Sequence, residues 1–115
     1  MKITKLAFFL FLIFQVSFGQ TKEVIPKGFK KLEGLEYVGK ITFYFKKKTQ
    51  TVLAYQNGKV KWKNEVIKVC GKPSVGKSEI REIRIEDKNL KIVFGKHSFA
   101  RIEVETGKVT CEGQD

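Results

Sequence analysis

Residues 71–78, GKPSVGKS, satisfy the spacing G-x-x-x-x-G-K-[ST] in full. That spacing can cradle a phosphate: backbone N–H groups of a glycine-rich turn surround the anion at the N-terminus of a helix whose dipole favours negative charge. In such a site Gly71 and Gly76 would allow close approach, Lys77 would reach the terminal phosphates and Ser78 would ligate Mg2+. The chemistry requires a strand before the turn and an amphipathic helix after it. The preceding EVIKVC, residues 65–70, reads as a strand. The following EIREIRIE, residues 79–86, sets Ile80 and Ile83 at helical spacing, but Arg84 occupies the next helical core position. Ile83 and Ile85 alternate as in a strand, and β-branched Ile is the sole apolar type present. The segment is expected to extend, with Gly71, Pro73 and Gly76 as turn residues and Lys72 and Lys77 in solvent.

Other chemistry is sparse. Two cysteines and one histidine are too few for a zinc site. His97 could serve as a general base beside Glu103 or Asp87, yet no spacing fixes that geometry, and it reads as a surface residue of a hairpin. Glu103 and Glu105 share a strand face, where Lys108 is the expected ion-pair partner. No serine sits in a glycine-flanked elbow. No catalytic residue, metal or cofactor is assigned, and the match at 71–78 to the P-loop (Walker A) pattern is read as fortuitous. A chain this short, without helical crossovers, cannot build the parallel sheet that such a loop serves.

The elements that could position a site begin after an export signal. Lys2 and Lys5 precede a nine-residue apolar run, residues 6–14, and Ser17 and Gly19 stand at −3 and −1 of a cleavage site. The run is shorter than the about 20 residues a membrane-spanning helix needs. Residues 1–19 are expected to be a signal peptide and residues 20–115 one secreted, periplasmic or cell-envelope domain with no stable transmembrane segment. Export favours a single Cys70–Cys111 disulfide over two free thiols.

The full chain carries 23 basic and 12 acidic residues, and loss of Lys2 and Lys5 leaves a net +9. Such a charge suits an anionic polysaccharide, a membrane surface or an acidic protein. Only Arg81, Arg84 and Arg101 are arginine, which counts against specific nucleic-acid recognition.

Residues 20–34 read as a loose lead-in, and the remainder as short strands divided by turns. Ile41, Phe43 and Phe45 alternate with polar partners. Residues 52–56 and 59–63 flank Asn57-Gly58, a type I′ hairpin signal. An uninterrupted register pairs Tyr55 with Val60, Ala54 with Lys61 and Leu53 with Trp62. It gathers Leu53, Tyr55, Val60 and Trp62 on one face and Lys59, Lys61 and Lys63 on the other. With Tyr44 on an adjacent strand, that lysine row is the candidate surface for an anionic partner. Further strands are expected over 66–70, 79–86, 90–94, 97–105 and 108–111, with Gly107 left-handed in a three-residue turn.

The run 99–109, FARIEVETGKV, resembles the blade repeat of quinoprotein-type (PQQ-like) β-propellers, and Lys59 to Trp62 resembles the end of the same pattern. Arg101 and Glu103 depart from the usual Ala and Asp, and no Trp closes the second copy. The resemblance implies a blade-like antiparallel sheet and no quinone site.

The fold expected is therefore all-β: one antiparallel domain of about six to seven short strands, arranged as a meander, blade or small sandwich with one disulfide. The function expected is non-catalytic binding through the lysine-rich face. A structural or assembly module using an exposed sheet edge is the second reading, and a P-loop nucleotide-binding enzyme the third.

Overall fold

The computed structural model describes residues 22–114, so the expected signal peptide lies outside the described residues. Eight strands and one helix follow in order: β1 (Lys30–Lys31), β2 (Thr42–Lys46), β3 (Thr51–Gln56), β4 (Lys59–Asn64), α1 (Val66–Cys70), β5 (Ile80–Glu86), β6 (Asn89–Phe94), β7 (Ser98–Glu103) and β8 (Val109–Gln114). They form two four-stranded antiparallel meanders, β1-β2-β3-β4 and β5-β6-β7-β8. The all-β antiparallel expectation holds, with eight strands where six or seven were expected.

Phe43, Val52 and Ala54 of the first sheet share one buried cluster with Leu90, Ile92, Phe94, Ala100 and Ile102 of the second. The sheets therefore face each other across a common core, the arrangement that lets each bury its apolar face. The outer face of the first sheet is also partly covered. Residues 22–29, read as loose, are fastened along it: the Tyr55 hydroxyl donates to Glu23 O (2.6 Å) and Val60 N donates to the Glu23 carboxylate (2.8 Å). Farther along the same segment, the Phe29 ring lies 5.8 Å from the Lys46 ammonium.

Two local readings change in three dimensions. Residues 66–70 form a helix, not a strand. Val66 is buried, Ile67 and Cys70 pack against the core, and Lys68 and Val69 are exposed. That i, i+1, i+4 stripe fits a helical turn, whereas a strand would turn Lys68 inward beside Val66. Tertiary packing overrides the β-branched propensity here. Gly71 ends the helix at φ +94°, its N–H bonded to Ile67 O at 2.7 Å.

The second change is a β-bulge. Tyr55 pairs with Val60 as expected, but Ala54 pairs with Trp62, leaving Lys61 as the extra residue. The uninterrupted register would have set Lys61 against Ala54 in the core; the bulge instead turns Trp62 inward. There the Trp62 indole donates to Val104 O (2.8 Å) and its ring lies 6.3 Å from that of Phe43. A similar shift at Arg81 explains the helix-like spacing of Ile80 and Ile83: Ile80 pairs with Phe94 and Ile83 with Ile92, in one strand. Gly107 is left-handed (φ +80°), as expected, but it belongs to a longer turn, residues 104–108, that packs against Trp62.

Cys70 and Cys111 form the disulfide, tying α1 to β8 across 41 residues of sequence. Closing a loop of that length stabilises the fold by about 4 kcal/mol in the chain-entropy account.

Candidate anion-binding surface

Charge divides between the two layers. Residues 22–78, which hold the first sheet, α1 and the following loop, contain fourteen Lys and four Glu, a net +10. Residues 79–115, which hold the second sheet, contain seven Lys and Arg against eight Asp and Glu, a net −1. The whole excess of positive charge therefore belongs to the first part of the domain.

The second sheet neutralises its own charge. On its outer face Arg84 bridges Glu82 (2.6 Å) and Glu86 (3.0 Å), and Arg101 bridges Glu86 (3.3 Å) and Glu112 (2.6 Å). Lys91 completes the chain 3.7 Å from Glu112. The hydrogen bond from Arg84 holds the Glu86 carboxyl below its ordinary range, helped by the charges of Arg84, Lys91 and Arg101. The hydrogen bonds that Arg84 donates to Glu82 and Glu86 raise its pKa, and the one that Arg101 donates to Glu112 is the chief cause that raises that of Arg101. The third arginine, Arg81, spends its guanidinium on the carbonyls of Gly95 and Lys96. Thus all three arginines are committed within the domain.

The candidate lysine row is broken up by the bulge. Lys61 donates to the Gln56 side chain (3.1 Å) and lies 3.5 Å from Glu105. Glu105 thus pairs with Lys61, not with Lys108 as expected, while the Glu103 carboxylate accepts from the Thr106 hydroxyl. Lys59 pairs with Gln56 beside the turn, whereas Lys63 pairs with Leu53 and so points to the outer face. Tyr44 also pairs with Leu53, and its ring meets that of Tyr55 edge-on at 6.2 Å. Of the four residues, only Lys63 and Tyr44 share that face.

Two adjoining clefts replace the row. One, of about 350 Å³, is lined by Lys46, Lys63, Phe29, Thr51 and Asn64; the other, of about 300 Å³, by Lys48, Lys68, Lys72 and Gln50. Thr49 and Glu65 border both. The β2–β3 turn supplies Lys48, and α1 turns Lys68 outward because its apolar stripe faces the core. Lys72 follows directly from the Gly71 helix stop. The helix at 66–70 and the bulge at Lys61, in place of the expected strand and uninterrupted register, bring these lysines together. Nothing local in the sequence brings α1 beside the run Lys46-Lys47-Lys48.

The 71–78 segment is an irregular connection, and the residues after it extend as β5. No helix N-terminus stands behind Gly71, Gly76, Lys77 and Ser78. The loop packs on the β6–β7 turn instead: Lys96 N bonds Val75 O (2.9 Å), and a Cβ at Gly76 would fall 2.6 Å from Lys96 N. Gly76 thus serves a close backbone approach. His97 is exposed in the same β6–β7 turn. Among the described residues, no three His, Cys, Asp or Glu side chains are grouped as a metal site would need, and no helix is long and apolar enough to cross a membrane.

The class that these features define is a disulfide-bonded sandwich of two antiparallel meanders, one layer strongly basic and the other self-neutralised. No family model matches the chain, and no curated protein or solved structure matches it either.

Proposed function

We propose that this is a small exported, non-catalytic binding domain whose basic layer engages an anionic partner. The observation that carries the reading is the segregation of charge: net +10 over residues 22–78 against −1 over residues 79–115. A composition adjusted for solubility alone has no need to sort charge between layers, whereas a surface that steers an anion does. The basic layer also uses lysine throughout, and among the described residues only Lys61 of that layer has an ion-pair partner. At the edges of the first sheet, pairing with another chain has less behind it, since β1 is two residues long and Glu23 already accepts from Val60 N on β4.

The test is retention of the disulfide-bonded domain on immobilised heparin and on anionic vesicles at 50 and 200 mM salt. Binding that falls steeply with salt supports the reading. Absent or salt-insensitive binding overturns it.

A further inference from the structure

Resting on that reading, we propose that the binding site is the pair of adjoining clefts flanking Thr49, and that its ligand is a linear acidic polysaccharide. Five lysines serve it: Lys46 and Lys63 in one cleft, Lys48, Lys68 and Lys72 in the other. Among the described residues, none of the five has an ion-pair partner. The Lys46 ammonium lies 5.8 Å from the Phe29 ring.

The shape and the chemistry of the walls select the ligand. The two clefts share a border at Thr49, so together they make a track, and each has the volume of a small ligand pocket, about 300 Å³ or slightly more. A bilayer presents a plane, whereas a linear chain can follow the track from one cleft into the other. Hydroxyl and amide groups stand among the ammonium groups: the Thr49 hydroxyl is 2.7 Å from that of Thr51, and Asn64 lines the same cleft. A sulfated or carboxylated sugar chain offers anions for the lysines and hydroxyls for Thr49 and for the Asn64 Oδ1, whose Nδ2 donates to Gly107 O (2.6 Å). Nucleic acid is a poorer fit. Its single strands are gripped by arginine and by free aromatic faces, but every arginine lies on the other layer and Phe29 already faces Lys46.

Glu65 provides a control built into the site, because it is the one carboxylate bordering the two clefts. It stands at the N-cap of α1 without a side-chain capping bond, so replacing it costs the helix no cap.

The experiment is calorimetric titration with a heparin octasaccharide. The wild type is compared with a Lys63→Gln/Lys68→Gln/Lys72→Gln triple variant, a control triple Lys30→Gln/Lys40→Gln/Lys59→Gln, and Glu65→Gln. Circular dichroism checks that each variant folds. By the counterion-release relation, five lysine contacts give a slope of log K on log salt near −4, about a 250-fold loss between 50 and 200 mM. Two remaining contacts reduce the loss to about tenfold in the site triple variant, whereas the control triple keeps the wild-type slope. Glu65→Gln tightens binding about threefold, the scale of one exposed charge pair.

No wild-type binding to any polyanion takes down the proposed function itself. Wild-type binding that both triples weaken equally, or that Glu65→Gln fails to strengthen, overturns the site while leaving that function standing. Tighter binding to phosphatidylserine vesicles or to a single-stranded oligonucleotide than to the octasaccharide overturns the ligand class.

Discussion

Gly107→Ala probes the bulge that turns Trp62 inward. A Cβ at residue 107 would fall 2.5 Å from Trp62 Cγ, 2.8 Å from its Cβ and 2.9 Å from its Cδ1. Two costs follow from that geometry. An alanine at φ +80° costs about 1 kcal/mol of backbone strain. Overpacking against the indole adds about 1–3 kcal/mol. In a Trp62→Ala background the Cγ and Cδ1 contacts vanish and only the Cβ contact remains, so part of the second cost disappears. The double variant should therefore be more stable than the sum of the singles by about 1–2 kcal/mol. In a domain of this size that corresponds to about 4–15 °C in Tm. Urea unfolding followed by far-ultraviolet circular dichroism suits the cycle, because Trp62 is the sole tryptophan and its fluorescence is lost in two of the four proteins. Additivity within about 0.5 kcal/mol would refute the reasoning, since it would place Trp62 away from Gly107 and on the outer face.

Three further outcomes follow. Cys70→Ser/Cys111→Ser should lower the unfolding free energy by about 4 kcal/mol, read from urea midpoints, and added reductant should change the wild type but not the variant. Glu86 has a folded pKa held below 4.5 by Arg84, so its contribution is present above its unfolded pKa and is lost as pH falls through the folded value. Thermal melts from pH 6 to pH 2 should show that acid loss, and Arg84→Gln should flatten it. The raised Arg84 and Arg101 keep their contribution across the whole neutral range. Glu23→Ala removes the acceptor for Val60 N, so amide exchange at Val60 and proteolysis within residues 22–29 should both quicken.

Much of the architecture could be read along the chain because strand alternation and turn chemistry are local. Asn57-Gly58 marked its hairpin, Ile83 and Ile85 marked a strand against the apparent helical spacing of Ile80, and the two cysteines named their own bond. What stayed hidden was non-local. The bulge at Lys61 exists because Trp62 gains Val104 and Gly107 as neighbours, residues more than 40 positions away. The helix at 66–70 exists because a core from the other sheet takes Val66, Ile67 and Cys70 together. Both features moved the candidate site. Strict period-two alternation makes the lysine row of β4 continuous, which the bulge breaks, and the second cleft exists because α1 stands beside the β2–β3 turn.

The most direct test of the account is an amide chemical-shift map of the 15N-labelled domain titrated with heparin octasaccharide at low salt. The account predicts perturbations concentrated at residues 46–51 and 63–72, fading as salt rises, with the outer face of the second sheet unmoved. Perturbations centred on Arg84, Arg101 and Glu112, or none at all, would contradict it.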